Sequence, residues 1–378
     1  MQADLRLTKT QLGELMSAFF WVYAFVQIPI GWLAERYGAG RILASGLIVW
    51  ACATLLLGIS SAFPALIAFR MLLGLGESTG FPCVSKLLAT AVPVESLGLA
   101  NGIVGCAYTL GPAFGTYFGG MLMAQYGWRA SFLAFGALSL LWLIPWSRVS
   151  VPKTVAAQND TPMPSLQRIV SEPSLWGTAL GLFSSNYAFY FMLSWLPFYL
   201  VTARGYSTVE MAKLAGSAYV LTALSSLFAG WAIDRFIRQG GSANFIYKAI
   251  MAAAHGGAVL CMLGLAFGPR ALALPCIYLF QALIGAASPG VYAIPQILGG
   301  AVAAGRWVGI QNSIGNLAGI IAPWLTGFMV DYTGQFTAAF VVAAAVSLLG
   351  LIGWIWMLPK LALLDWNARS TVAVQKSV

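Results

Sequence analysis

The sequence predicts an all-α polytopic membrane protein made of two pseudo-symmetric helical bundles. Three observations lead there. The 378 residues are 60% hydrophobic and only 8% charged, a balance foreign to soluble domains of this length. The apolar residues fall into eleven runs, each near the roughly 20 residues that cross a hydrocarbon core. Finally, the chain echoes itself: Gly31-Trp-Leu-Ala-Glu35-Arg36 returns 199 residues later as Gly230-Trp-Ala-Ile-Asp234-Arg235.

The first run, Leu12–Ala34, places Tyr23 and Gln27 four apart on one helical face. Ile42–Ile59 and Pro64–Ala91 follow. Leu99–Gln125 carries Asn101, Gly111 and Pro112, and Trp128–Trp146 closes the first half. Arg148–Glu172 contains Pro, Gln, Asn and Asp without apolar periodicity, the pattern of a linker. The second half runs Leu175–Val201 with Asn186 and Tyr187, Met211–Ile237, Phe245–Phe267, Leu272–Leu298 with Gln281, Val308–Val330 with Asn312 and Asn316, and Phe336–Leu358. The expected organisation is a bundle at 1–147, a cytoplasmic linker at 148–172, a second bundle at 173–358 and a polar, partly disordered cytoplasmic tail at 359–378.

A second register supports the repeat. Pro64 and Pro275, Phe69 and Phe280, Gly74 and Gly285, Asn101 and Asn312, and Pro112 and Pro323 all lie 211 apart, on matching runs in matching order. Leu175–Val201 precedes the run that ends in the second copy of the Gly-Trp motif, whereas only Met1–Gln11 precedes the first copy. The first helix of a six-plus-six design is therefore expected to be missing, and the natural product to be longer. If the Glu35–Arg41 loop is cytoplasmic, thirteen Lys and Arg fall in cytoplasmic segments and six on the other side, with Arg70 embedded. That bias places the C-terminus in the cytoplasm.

Composition also excludes. The net charge of +9 reads as basic cytoplasmic loops rather than nucleic-acid binding. The five cysteines sit in apolar runs without metal-ligand spacing, so they read as packing residues. Met1–Thr10 has no apolar core of a signal peptide. No nucleophile–base set appears at membrane depth, so no enzyme, cofactor or metal is expected.

The chemistry gathers in Phe69–Pro82. Arg70 and Glu77 lie seven residues apart there, on nearly one face and roughly 10 Å apart along the axis. A charge at membrane depth costs about 2.5–3.5 kcal/mol on insertion scales, so such residues mark an internal site. Gly74, Gly76 and Gly80 would let a helix or a ligand approach closely. Arg70 offers a fixed planar fork for a carboxylate. Burial and the field of Arg70 act on Glu77 in opposite senses, so its carboxyl is poised to take and release a proton. On the 211 register Arg70 faces Gln281 in the other half, making one wall charged and the other neutral. Tyr23, Gln27, Asn186, Tyr187, Gln281, Asn312 and Asn316 are the candidate polar contacts for the hydroxyls of a sugar acid. Interhelical packing is the competing role for each. The lone His255 reads as a packed residue rather than a relay. Gly31, Glu35, Arg36 and Arg41, with Gly230, Asp234 and Arg235, sit at helix ends, where charge and helix termini lock a gate.

The loop from Gly31 to Arg41 resembles the signature between the second and third helices of the major facilitator superfamily, with Glu35 in the place of its usual Asp. The first run, the Arg70…Gly74-x-Gly76-Glu77 segment, Trp195–Leu200 and Gly315–Gly334 resemble the anion:cation symporter branch. The resemblance extends over nearly the whole chain. It implies a major facilitator fold, here with eleven of the usual twelve transmembrane helices. It also implies carriage of an organic anion, with the Glu matching Glu77 involved in proton coupling. The expected function is proton-coupled symport of a small organic anion across a bacterial inner membrane by a monomer. An antiporter or facilitator for another metabolite or drug, a non-transporting sensor and a defective fragment are the alternatives.

Overall fold

The computed structural model describes residues 4–5, 7, 9–149 and 163–366. The middle of the expected linker and residues 367–378 of the expected tail lie outside the described residues. The first half contains α1 (Lys9–Tyr37), α2 (Ala39–Ile59), α3 (Phe63–Glu77), α4 (Gly80–Ala91), α5 (Leu97–Tyr126), α6 (Trp128–Leu141) and α7 (Leu143–Trp146). The second contains α8 (Leu166–Val170), α9 (Pro173–Phe198), α10 (Thr208–Arg238), α11 (Ala243–Phe267), α12 (Ala273–Asn316), α13 (Ala318–Thr333) and α14 (Thr337–Ile355). Seven helical stretches among the described residues are long and apolar enough to cross a membrane.

Local chemistry sets the boundaries. Gly38 and Gly127, at φ 94° and 82°, separate α1 from α2 and α5 from α6, in backbone that a Cβ disfavours. At the start of α10, Ser207 Oγ accepts from the Glu210 amide and the Glu210 carboxylate accepts from the Ser207 amide. Those bonds hold the Glu210 carboxyl below its usual range.

The expected run Pro64–Ala91 is covered by α3 and α4, which meet at Ser78 and Thr79, both still in helical backbone. Their hydroxyls donate back to the carbonyls of Leu75 and Gly76, at 2.7 and 2.8 Å. Glu77 stands one residue before this junction. α12 is interrupted at Gly300, where φ 59° and ψ −170° are not helical, so run nine lies in its first arm and run ten begins in its second.

The polar tail is also corrected in part. Residues 359–366 pack against that kink. The Leu364 amide donates to Leu298 O at 3.0 Å and Trp366 Nε1 to Gly299 O at 3.1 Å. Leu361 is buried, and the Trp366 ring lies 6.2 Å from that of Trp307. Four apolar residues in this stretch (Leu361, Leu363, Leu364 and Trp366) outweigh the polar character of the segment as a whole.

Two similar interfaces join the halves. On α1, Gly31 meets the backbone of Gly305 and Arg306, and the backbone of Gln27 meets Gly309. On α10, Gly230 meets Gly98 and Leu99, and the backbone of Ser226 meets Gly102. In each case a carboxylate one turn beyond the motif glycine caps the facing helix. Glu35 Oε1 accepts from the Gly305 amide at 3.0 Å. Asp234 accepts from the Gly98 and Leu99 amides at 2.8 and 2.9 Å. The internal repeat is thus present as two equivalent contacts. The facing glycines are 207 apart rather than 211, a slip of about one helical turn from the sequence register. Glycine contact, rather than residue identity, sets which turns correspond.

Candidate functional site

A cavity of about 100 Å³ lies between α5, α9, α10 and α12. Phe81, Tyr108, Phe189 and Tyr292 supply its aromatic wall, and Asn186, Ser288 and Asn316 are among its polar groups. Phe81 stacks on Tyr292 with centroids 4.7 Å apart, and Tyr108 meets Phe81 at 5.5 Å and Phe189 at 6.2 Å. The lining contains no charged side chain.

The charged pair lies beside this cavity. Arg70 is half-buried; its Nε donates to Leu15 O at 3.0 Å and its guanidinium sits 5.7 Å over the Phe19 ring. Phe19 stacks on Tyr23 at 4.9 Å. Glu77 is exposed and ends the same helix. The Tyr190 hydroxyl donates to Asn316 Oδ1 at 3.3 Å, at the edge of the neutral cavity that Asn316 lines.

Gly74 and Gly76 position that pair. A Cβ on Gly74 would strike the α1 backbone at Phe19 and Tyr23, and one on Gly76 would strike α2 at Gly46 and Trp50. Close approach of helices, not of a ligand, is what these two glycines allow. Gly80 has open space around it.

The remaining expected residues separate into groups. Asn186 and Asn316 line the cavity, with Asn186 Nδ2 donating to Gly315 O at 3.1 Å. Asn312 lies one shell back, accepting from the Tyr292 hydroxyl at 3.1 Å. Gln27 is fully buried on α1, and neither end of its amide has a partner among the described residues. Tyr187 packs away from the cavity, among Phe191, Met262 and Phe340. Gln281 is buried, and its carbonyl accepts from Thr222. His255 is buried with Nδ1 on Met251 O and Nε2 3.2 Å from Ser185 Oγ. Among the described residues, no three His, Cys, Asp or Glu side chains cluster as metal ligands.

At the gate, Glu35 Oε2 lies 2.5 Å from Lys86 Nζ, and both side chains are buried. Asp234 is buried, with Arg238 rather than Arg235 as its cationic neighbour at 3.8 Å. Arg36 and Arg235 instead lie over Trp32 and Trp231, at 5.1 and 5.7 Å, and Arg41 is exposed. The Asn101 and Gln296 amides exchange hydrogen bonds at 2.7 and 3.1 Å, and Gln296 also donates to Ser85 at 3.2 Å. Arg306 Nη1 donates to Pro164 O at 2.6 Å. Sequence reading passed over Phe81, Tyr108, Tyr190, Tyr292 and Gln296. It placed Lys86 in a cytoplasmic segment, although Lys86 belongs to the same apolar run as Arg70 and Glu77.

Fold and site together define a membrane carrier, and the chain belongs to the Major Facilitator Superfamily, whose model matches residues 1–304. It is similar to the probable sulfoacetate transporter SauU of Cupriavidus necator, at 26% identity over 96% of this chain and 88% of that protein. It is equally similar to the probable galactarate/D-glucarate transporter GudP of Bacillus subtilis, at 26% identity over 93% and 86%. Among solved structures, the fucose:proton symporter FucP of E. coli matches with a TM-score of 0.77 and 16% identity, covering 93% of this chain and 92% of its own. That likeness establishes the all-helical fold of the superfamily.

Proposed function

We propose that this protein is a proton-coupled symporter of a small organic anion, working by alternating access. The observation that carries the proposal is Arg70, a half-buried guanidinium in an apolar helix, bonded to Leu15 O and lying over Phe19, with the carboxylate of Glu77 ending the same helix. Arg70 attracts the substrate carboxylate. Protonation of Glu77 removes a competing anion and strengthens that attraction, so proton and substrate bind together. Relatives with anion-carrying names support the substrate class.

Counting α3 with α4, α6 with α7, and the arm of α12 beyond Gly300 with α13, and leaving out the short α8, gives eleven crossings, arranged as an N-terminal and a C-terminal bundle. Asn186 and Asn316 serve the neutral wall, with Asn312 one shell back and Tyr23 and Gln27 on α1. In this reading the end bearing Glu35 and Asp234 faces the cytoplasm of a bacterial inner membrane. The two capped interfaces then close that end, leaving the substrate route from outside. The C-terminus is cytoplasmic and the working unit is a monomer.

Proteoliposomes containing the purified chain test the proposal. An inside-alkaline gradient is expected to drive accumulation of a radiolabelled organic anion, and a protonophore to abolish it. Accumulation that ignores the proton gradient would refute the coupling.

A further inference from the structure

From the cavity wall we infer that the anion carried is a planar aromatic monocarboxylate rather than a polyhydroxylated sugar acid. The inference rests on the anion-carrier reading above and specifies its substrate.

The hydrogen-bonding state of the wall is what discriminates. Each sugar hydroxyl brings one donor and two acceptor sites into the cavity, and a buried group without a partner is penalised. Few wall groups are available to meet them. The hydroxyls of Thr109 and Thr222 donate to helix carbonyls of Gly105 and Ala218, and Thr222 is also 3.2 Å from Gln281 O. Ser185 donates to Gly181 O and meets His255. The Tyr292 hydroxyl is held by Asn312. Asn186 donates to Gly315 O, and Asn316 is engaged at both ends, by Tyr190 and by Asn312 O. Ser288, the Tyr108 hydroxyl, Asn186 Oδ1 and the second amide hydrogens of the two asparagines are what remain, fewer sites than the several hydroxyls of a sugar acid bring.

The rest of the wall suits a ring. Phe81, Tyr108, Phe189 and Tyr292 already form edge-to-face and stacked pairs around the cavity, the arrangements aromatic rings prefer. Val104, Ile284 and Val291 complete the apolar lining. A space of about 100 Å³ is smaller than the roughly 150 Å³ apolar cavity that holds benzene, so it has room for no more than one flat ring. Tyr108 is 46% exposed despite its central position, so its face is presented to the opening. The carboxylate end of the ligand lies at Asn316, the lining amide that also holds the Tyr190 hydroxyl.

Uptake of labelled benzoate and labelled D-gluconate into the same proteoliposomes is the test, with benzamide as an uncharged competitor. Benzoate is expected to accumulate, gluconate to compete at least about tenfold more weakly, and benzamide not to compete. Tyr108→Leu is expected to weaken benzoate about two- to tenfold, the range of one lost aromatic pair. Tyr108→Phe, which keeps the ring, is expected to restore it to within about threefold. Gluconate accumulation with benzoate inert would overturn this inference and leave the anion carrier standing. If folded protein, verified by its thermal transition, accumulates neither anion, the carrier reading falls and this inference with it. Equal benzoate affinity in Tyr108→Leu would remove the ring wall from the recognition.

Discussion

The amide of Gly305 donates to Glu35 Oε1 at 3.0 Å, while Oε2 of the same carboxylate pairs with the buried Lys86. One side chain on α1 thus ties α4 and the start of the helix beyond the Gly300 kink. A negative charge at a helix start is favourable, and a buried ion pair with one partner removed leaves an uncompensated charge, costing about 3–5 kcal/mol. Glu35→Gln and Lys86→Met are each expected to lower the thermal midpoint clearly. The double variant is expected to lie closer to wild type than the two single losses added together, since it strands no charge. Strictly additive losses across the four proteins would show that the pair is not coupled.

Gly31 and Gly230 carry close backbone approaches between the halves. A Cβ on Gly31 would lie 2.5 Å from Gly305 O and 2.8 Å from Arg306 Cα, distances that require the helices to part. Gly31→Leu is expected to slow transport by about tenfold or more without reordering substrates, because the cavity residues are untouched. Competition assays ranking a set of acids check this. A changed ranking with normal turnover would contradict the gate role.

Most of the architecture was legible because membrane helices announce themselves by length and apolarity, and because the two Gly-Trp motifs recur. What escaped follows from the same physics. The junction at Ser78–Thr79 is marked by side-chain to carbonyl bonds that leave hydropathy unchanged. The register of the repeat slipped by a turn because identical residues such as Asn101 and Asn312 need not occupy equivalent packing positions. Asn101 bonds Gln296, whereas Asn312 bonds Tyr292. Arg70, Glu77 and Tyr23 stood out as polar groups in apolar runs. Tyr108, Tyr190 and Tyr292 did not, because an aromatic in a membrane helix is more often apolar surface than wall. Their meeting depends on α4, α5, α9 and α12 coming together, which no local pattern encodes.

Glu77 is the carboxylate on which coupling depends. Glu77→Gln keeps the shape and removes the titrating proton. The variant is expected to lose accumulation driven by a pH gradient while retaining counterflow exchange of preloaded anion. Exchange and net uptake measured in parallel separate the two. Net uptake with an unaltered pH profile would move the coupling site elsewhere.

Arg70 combines a bond to Leu15 O with a position over Phe19, a planar arrangement that an ammonium does not reproduce. Arg70→Lys is therefore expected to recover only a small part of the anion affinity lost in Arg70→Ala. Charge-assisted bonds contribute about 1.5–3 kcal/mol each, so the loss in Arg70→Ala is expected to exceed about tenfold in Kd. Titration of both variants with the transported anion and with its neutral amide reads this out. Equal affinity of the wild-type protein for acid and amide would exclude Arg70 as an anion partner.

The segment 359–366 supplies the last prediction. It bonds Leu298 and Gly299 on one side of the kink, and Trp366 contacts Trp307 on the other. Leu361 adds a bond from its amide to Asn244 Oδ1 at 3.0 Å, and Lys248 fixes Leu358 O at 2.9 Å just before the segment. The strap therefore bridges α11 and both arms of α12 at the end where Glu35 and Asp234 cap their partners. If the halves separate there during transport, the strap must resist the opening or travel with one arm. Trp366→Ala removes a half-buried indole, with an expected cost of about 1–2 kcal/mol, less than for full burial. That change is expected to favour the state open at this end. A cysteine introduced at Ala303, fully buried at the kink, reports it in an otherwise cysteine-free protein. Its labelling by a membrane-impermeant maleimide is expected to rise severalfold when Trp366→Ala is added. Unchanged labelling, with the thermal midpoint lowered as expected, would show that the strap stabilises the fold without biasing the gate.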